Sequence, residues 1–108
     1  MNSRVKGKRG ELELAKTLTA MGCQARRGQQ FQGTPESPDV VCEALKGYHL
    51  EVKRTEKFRL YEAMEQAVSE CGAKVPLVVH RRNRGEWLAI LRLEDFMKLA
   101  QPAPEAAP

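Results

Sequence analysis

The chain has 108 residues, which suits one domain with one modest core and leaves no room for two. Eighteen Lys and Arg against fourteen Asp and Glu give +4, and the basic residues are clustered, which favours a polyanionic partner such as nucleic acid. Three Cys with no C-x-x-C spacing and only two His argue against a zinc site and fit a reducing compartment. No apolar run approaches a membrane span or a signal peptide, so a soluble cytoplasmic protein without membrane contact is expected.

Leu12, Leu14, Ala15, Leu18 and Met21 recur at near-helical spacing and predict a helix over 7–21, closed by Gly22. A short strand over 23–27 follows, with Cys23, like Cys42, in an apolar run that suggests a buried thiol. Residues 28–37, with two Gly, Thr and Pro, read as a loop. Residues 38–42 form a compact strand, and after a turn ending at Gly47 the segment 48–53 alternates. Tyr48, Leu50 and Val52 share one face, and His49, Glu51 and Lys53 the other. Two strands joined by so short a turn read as a hairpin.

A second helix is expected over 60–71, with Gly72 beyond it, then a strand over 75–80 and a basic turn over 81–85. A strand over 86–91 and a short helix over 93–99 complete the pattern. Helix, strands, helix, strands, helix make an α/β domain with a mixed central β-sheet flanked by helices. The domain is placed at 1–100, and 101–108, rich in Pro and Ala, reads as a disordered tail.

Glu51 and Lys53, two apart on a strand, project from one face, and alone they read first as a surface ion pair. Asp39 alters that reading, because a hairpin brings it beside Glu51. Two acids on adjacent strands repel unless a cation lies between them, and a divalent ion held by carboxylates, waters and phosphate oxygens answers that need. Phosphodiester hydrolysis calls for the same parts: an activated water, neutralised phosphoryl charge, and a cation such as Lys53 at the transition state. His80 ends an apolar strand and reads as structural or phosphate-facing, while His49 shares the Glu51 face and could support it.

Pro38-Asp39, eleven intervening residues, then Glu51-Val52-Lys53 resembles the PD-(D/E)XK nuclease signature. Lys6-Gly7-Lys8-Arg9-Gly10-Glu11-Leu12, with Gly22 closing the helix, looks like the opening of archaeal-type Holliday junction resolvases. Val75-Pro76-Leu77-Val78-Val79, with Trp87 in the next strand, resembles that family's later strands. The resemblance covers roughly residues 4 to 96 and implies a restriction-endonuclease-like domain. It implies Glu11, Asp39, Glu51 and Lys53 as catalytic residues, with Glu11, Asp39 and Glu51 binding Mg2+ and Mn2+ substituting. It further implies a homodimer that nicks four-way junctions symmetrically in DNA recombination or repair.

Two departures stand out: Leu12 replaces the usual Arg after the helix Glu, and Gly28-Gln-Gln-Phe-Gln-Gly33 replaces a Ser-containing loop. Glu13 is the alternative helix acid, and Gln66 a weaker candidate on the second helix. Arg4, Lys6, Lys8, Arg9, Arg26, Arg27, Arg54, Lys57, Arg81, Arg82 and Arg84 are the candidate DNA contacts. Phe58, Leu60, Tyr61 and Met64 offer apolar surface for a two-fold interface or for the core. Another nuclease of the same fold, of repair or restriction type, and a non-catalytic DNA-binding module are the competing readings.

Overall fold

A computed structural model describes residues 3–28 and 39–101, with side chains from residue 7 onward. The side chains of Arg4 and Lys6, residues 29–38 (most of the loop expected over 28–37, with Pro38 of the motif) and residues 102–108 of the expected tail therefore lie outside the described residues. Helix α1 runs Ser3–Ala20, β1 Ala25–Arg27, β2 Val40–Cys42, β3 Tyr48–Arg54, α2 Leu60–Glu70, β4 Val75–Arg81, β5 Leu88–Ile90 and α3 Leu93–Ala100. A 3-10 turn over Glu43–Leu45 separates β2 from β3.

Helix α1 starts one turn earlier than its apolar spacing indicates. Nothing in Ser3-Arg4-Val5-Lys6 stops a helix, so backbone continues where the apolar stripe has ended. Its C-terminus is set by Gly22, whose φ of 94° favours glycine. The Gly22 amide donates to Thr19 O at 3.0 Å and the Cys23 amide to Leu18 O at 3.0 Å, closing a Schellman motif.

The sheet departs from the expected hairpin. β2 forms its ladder with β1, antiparallel, in the register Ala25 to Cys42 and Arg27 to Val40. β3 instead pairs in parallel with β4, from Tyr48 opposite Val75 to Arg54 opposite Arg81, and β4 pairs antiparallel with β5. Between β2 and β3 the contact is narrow: the Asp39 amide donates to Leu50 O at 3.2 Å. The 3-10 turn and Gly47 redirect the chain, so β3 leaves β2 and takes a partner 27 residues downstream. The three-stranded mixed sheet is as expected for the fold class. Pro76 is tolerated because the Val75 amide faces Gly47 O, so alternation turns position 76 to the side where β5 has not yet begun.

Helices cover both faces of β3. On one side Leu14 and Ala15 of α1 meet Leu50, Leu77 and Val79, with Val40 of β2 alongside. On the other, Ala63 and Ala67 of α2 pack on Val78, with Phe58, Met64 and Ile90 around them. Burial of each large aliphatic chain contributes roughly 1.5–3 kcal/mol. Phe58 and Met64 thus belong to the core, whereas Leu60 and Tyr61 are exposed. Cys42 is buried as expected, but Cys23 is only half-buried, lying just past the Schellman turn. Among the described residues no helix is long and apolar enough to cross a membrane.

Candidate active site

Glu51 is the centre of the site. Its relative exposure is 2 %, and that of His49 is 1 %, because α2 lies over the face of β3 that carries them. The surface ion-pair reading of Glu51 and Lys53 is thereby excluded. Glu51 Oε1 stands 3.5 Å from Lys53 Nζ, and Lys53 is the partner that reaches toward solvent. Lys53 Nζ also donates to Gln66 Oε1 at 3.1 Å, so β3 and α2 hold the ammonium between them.

Asp39 approaches from β2. Its Oδ2 accepts the Val52 amide at 2.8 Å, which fixes the carboxyl against the strand that carries Glu51 and Lys53. Burial pushes the Asp39 pKa up to about 7, with the Glu51 and Glu11 carboxylates adding to the rise and the Val52 amide and Lys53 opposing it. Glu11 on α1 therefore faces the same site. Glu13, the alternative acid, points elsewhere: it binds Arg54 Nε at 3.2 Å and pairs with Arg81 Nη1. The sequence-derived residues Glu11, Asp39, Glu51 and Lys53 are thus gathered around β3.

Gly10 makes this placement of α1 work. A Cβ at Gly10 would lie 2.5 Å from Arg54 Cβ, so only glycine lets α1 cross β3 at this height. Glu11, the next residue, is carried with it and ion-pairs with Arg27 Nε of β1. Acids of α1 and bases of β1, β3 and β4 thus lock the helix over the sheet.

Behind Glu51, His49, which strand periodicity places on the same face, meets Glu70, which the sequence pattern did not single out. His49 Nε2 is 3.8 Å from Glu51 Oε2 and 3.5 Å from Glu70 Oε2, near the end of α2. The Glu51 carboxylate raises the His49 pKa, outweighing burial, which lowers it. Gln66 Nε2 donates to Glu70 Oε1 at 3.4 Å. Gln66 and Glu70 stand four apart on α2, a spacing that puts them on one face, but only the docking of α2 on β3 shows what they face.

His80 is structural. Its Nε2 lies 2.9 Å from Thr55 O, and its ring stacks on Phe58 with centroids 3.9 Å apart. Among the candidate DNA contacts, Lys8, Arg9, Arg26, Lys57, Arg82 and Arg84 are exposed. Arg27, Arg54 and Arg81 are engaged with Glu11 and Glu13. An open cleft between β3 and α2, lined by Lys53, Thr55, Lys57, Arg59, Glu62 and Gln66, leads from solvent to the Lys53 ammonium.

The family model described as "Phage putative PDDEXK endonuclease" matches residues 2–106. The chain belongs to this PDDEXK endonuclease family. Among solved structures it is similar to Hjc, a Holliday junction resolvase from the archaeal hyperthermophile Archaeoglobus fulgidus. The two share 26% identity at a TM-score of 0.58, over 80% of this chain and 72% of Hjc. No curated protein matches the chain. A PDDEXK nuclease with the Hjc-like fold is what the opening motif implies, and the acids and lysine of that motif are the ones drawn around β3.

Proposed function

We propose that this nuclease cleaves branched DNA, four-way junctions foremost, as a homodimer, with Mg2+ or Mn2+ held by Asp39, Glu51 and Glu11. The observation that carries the reading is the placement of Asp39, whose Oδ2 is fixed by the Val52 amide against the strand that carries Glu51 and Lys53. The Asp39 carboxyl is raised to about 7 by burial and by two further acids, and Lys53 offsets that repulsion only in part. Such a set of converging carboxylate oxygens suits a small hard divalent ion. When bound there, the ion would polarise a phosphoryl oxygen and lower the pKa of a coordinated water.

The chain's own groups account for the rest. Lys53, steadied by Gln66, offers a positive charge where negative charge accumulates on the phosphate. The Val52 amide keeps Asp39 Oδ2 in place, leaving the other carboxylate oxygen for binding. The exposed cations Lys8, Arg26, Lys57, Arg82 and Arg84 are available for phosphates, and Arg9 is exposed beside Lys8. Arg27, Arg54 and Arg81 would reach DNA only by exchanging a carboxylate partner. Phosphate contacts read shape rather than sequence, which favours a structure-selective substrate. The resolvase activity of the similar archaeal protein supports the junction, and a two-fold dimer would present two sites to its two-fold symmetry.

A gel assay of wild type and Asp39→Ala on four-way, flap and linear DNA, with and without Mg2+, tests this. Paired nicks on the junction, dependent on Mg2+ and lost in the variant, are expected. Equal cutting of linear duplex removes the junction assignment and keeps the nuclease. Undiminished cutting by Asp39→Ala removes the assignment of the site.

A further inference from the structure

The geometry points to a second divalent-cation site, on the α2 side of Glu51, in which His49 Nε2, Glu51 Oε2 and Glu70 Oε2 bind a transition ion of the zinc or cobalt type. Glu51 would serve both sites: Oε1 lies toward Lys53, and Oε2 lies toward His49. The cluster is argued from its own atoms and does not depend on which DNA the nuclease cuts.

Four observations support it. His49, Glu51 and Glu70 each bring one ligand atom to within 4.8 Å of the other two. Two of them, His49 Nε2 and Glu51 Oε2, are buried without any hydrogen-bond partner, a costly state unless something binds them. Their separations suit a shared ion better than a direct bond. An imidazolium between two carboxylates closes to about 2.7–2.9 Å, whereas these contacts are 3.5 and 3.8 Å. Two ligands each about 2.1 Å from a tetrahedral ion stand about 3.4 Å apart. Finally, Gln66 Nε2 donates to Glu70 Oε1 and leaves Oε2 turned to the cluster, as a supporting group orients a ligand.

The donor set selects the ion. One imidazole and two carboxylates suit zinc, cobalt or manganese, while magnesium prefers oxygen alone. The Asp39 side offers only carboxylates, so the two halves of the centre differ in chemistry. Glu70 is 22 % exposed at its side chain and provides the way in, while His49 and Glu51 are closed off. A bound ion would tie the end of α2 to β3 and fix the carboxylate that Lys53 faces.

The test uses cobalt(II) as an optical probe on chelator-treated full-length protein, with folding of each variant checked by circular dichroism. Wild type is expected to bind one Co2+ with the visible bands of a four-coordinate ion, displaced by Zn2+ and resistant to excess Mg2+. Glu70→Gln, at the half-buried rim, and His49→Gln should each weaken that binding at least about tenfold. Asp39→Asn should keep the signal. Zn2+ should raise the melting temperature of wild type but not of Glu70→Gln. The proposal is overturned if wild type binds no Co2+, if both variants bind it as wild type does, or if Asp39→Asn abolishes the bands while Glu70→Gln retains them. None of these readings uses DNA cleavage, so they fail independently of the junction assay.

Discussion

Asp39 Oδ2 accepts the amide proton of Val52 at 2.8 Å, and this bond joins the end of β2 to the strand that carries Glu51 and Lys53. It replaces the ladder that a hairpin would have supplied. The carboxyl is held by backbone while burial and two neighbouring acids oppose its ionisation. Asp39→Asn keeps the size and removes the charge. Mg2+-dependent cleavage should fall on the order of 100-fold or more. The metal-free variant should melt no lower than wild type, because a repelled buried acid has gone. A melting temperature clearly below that of wild type would mean that the Asp39 charge stabilises the fold, against this account.

The same group sets a pH dependence. Its folded pKa, about 7, lies above the ordinary aspartate value of 3.8, so between those values the folded state binds more protons than the unfolded state. Stability of the metal-free protein should therefore decline as pH rises from about 4 through 7. Binding of Mg2+ requires the carboxylate, so its affinity should rise over the same interval and level off above it. Thermal melts in chelator across this range, repeated on Asp39→Asn, give the contribution of Asp39. A wild-type curve no steeper than that of Asp39→Asn would refute it.

Local signals were legible where one residue suffices. Gly22 closes α1 because its positive φ favours glycine, and the Schellman bonds follow. The period of two in β3 put Glu51 and Lys53 on one face, and they are together. What that period could not convey was burial. His49 and Glu51 look like a solvent-facing row until α2 is laid over them. Strand pairing was illegible for a related reason. A short turn makes a β2–β3 hairpin the simplest choice, but the parallel partner Val75–Arg81 is chosen by packing on both faces of β3. Glu70 escaped notice because it joins the site only through that packing.

Gln66 acts through Lys53. Its Oε1 accepts from Nζ at 3.1 Å, and the Glu51 carboxylate lies 3.5 Å from the same ammonium. Gln66→Ala should lower kcat about tenfold with KM changed little, since on the proposed role of Lys53 it loosens a group that acts at the transition state rather than one that holds DNA. Gln66→Glu should keep the contact and recover part of the rate. Kinetics at several DNA concentrations separate the two parameters, and a rise in KM alone would make Gln66 a binding residue.

Gly10 is the tightest point between α1 and the sheet. The Cβ of Gly10→Ala would meet Arg54 Cβ at 2.5 Å, and because that atom adjoins the backbone, the helix must shift. Overpacking of this kind costs typically about 1–3 kcal/mol, more than the helix propensity gained by replacing Gly. The shift would also carry Glu11 away from Asp39 and strain the Glu13 contacts to Arg54 and Arg81. Gly10→Ala should therefore lower both denaturant stability and cleavage, while Gly7→Ala, which meets nothing within 4 Å, should leave stability equal or higher. The pair of variants separates close approach from glycine content: equal effects at both positions would show that the Arg54 contact is not what Gly10 serves.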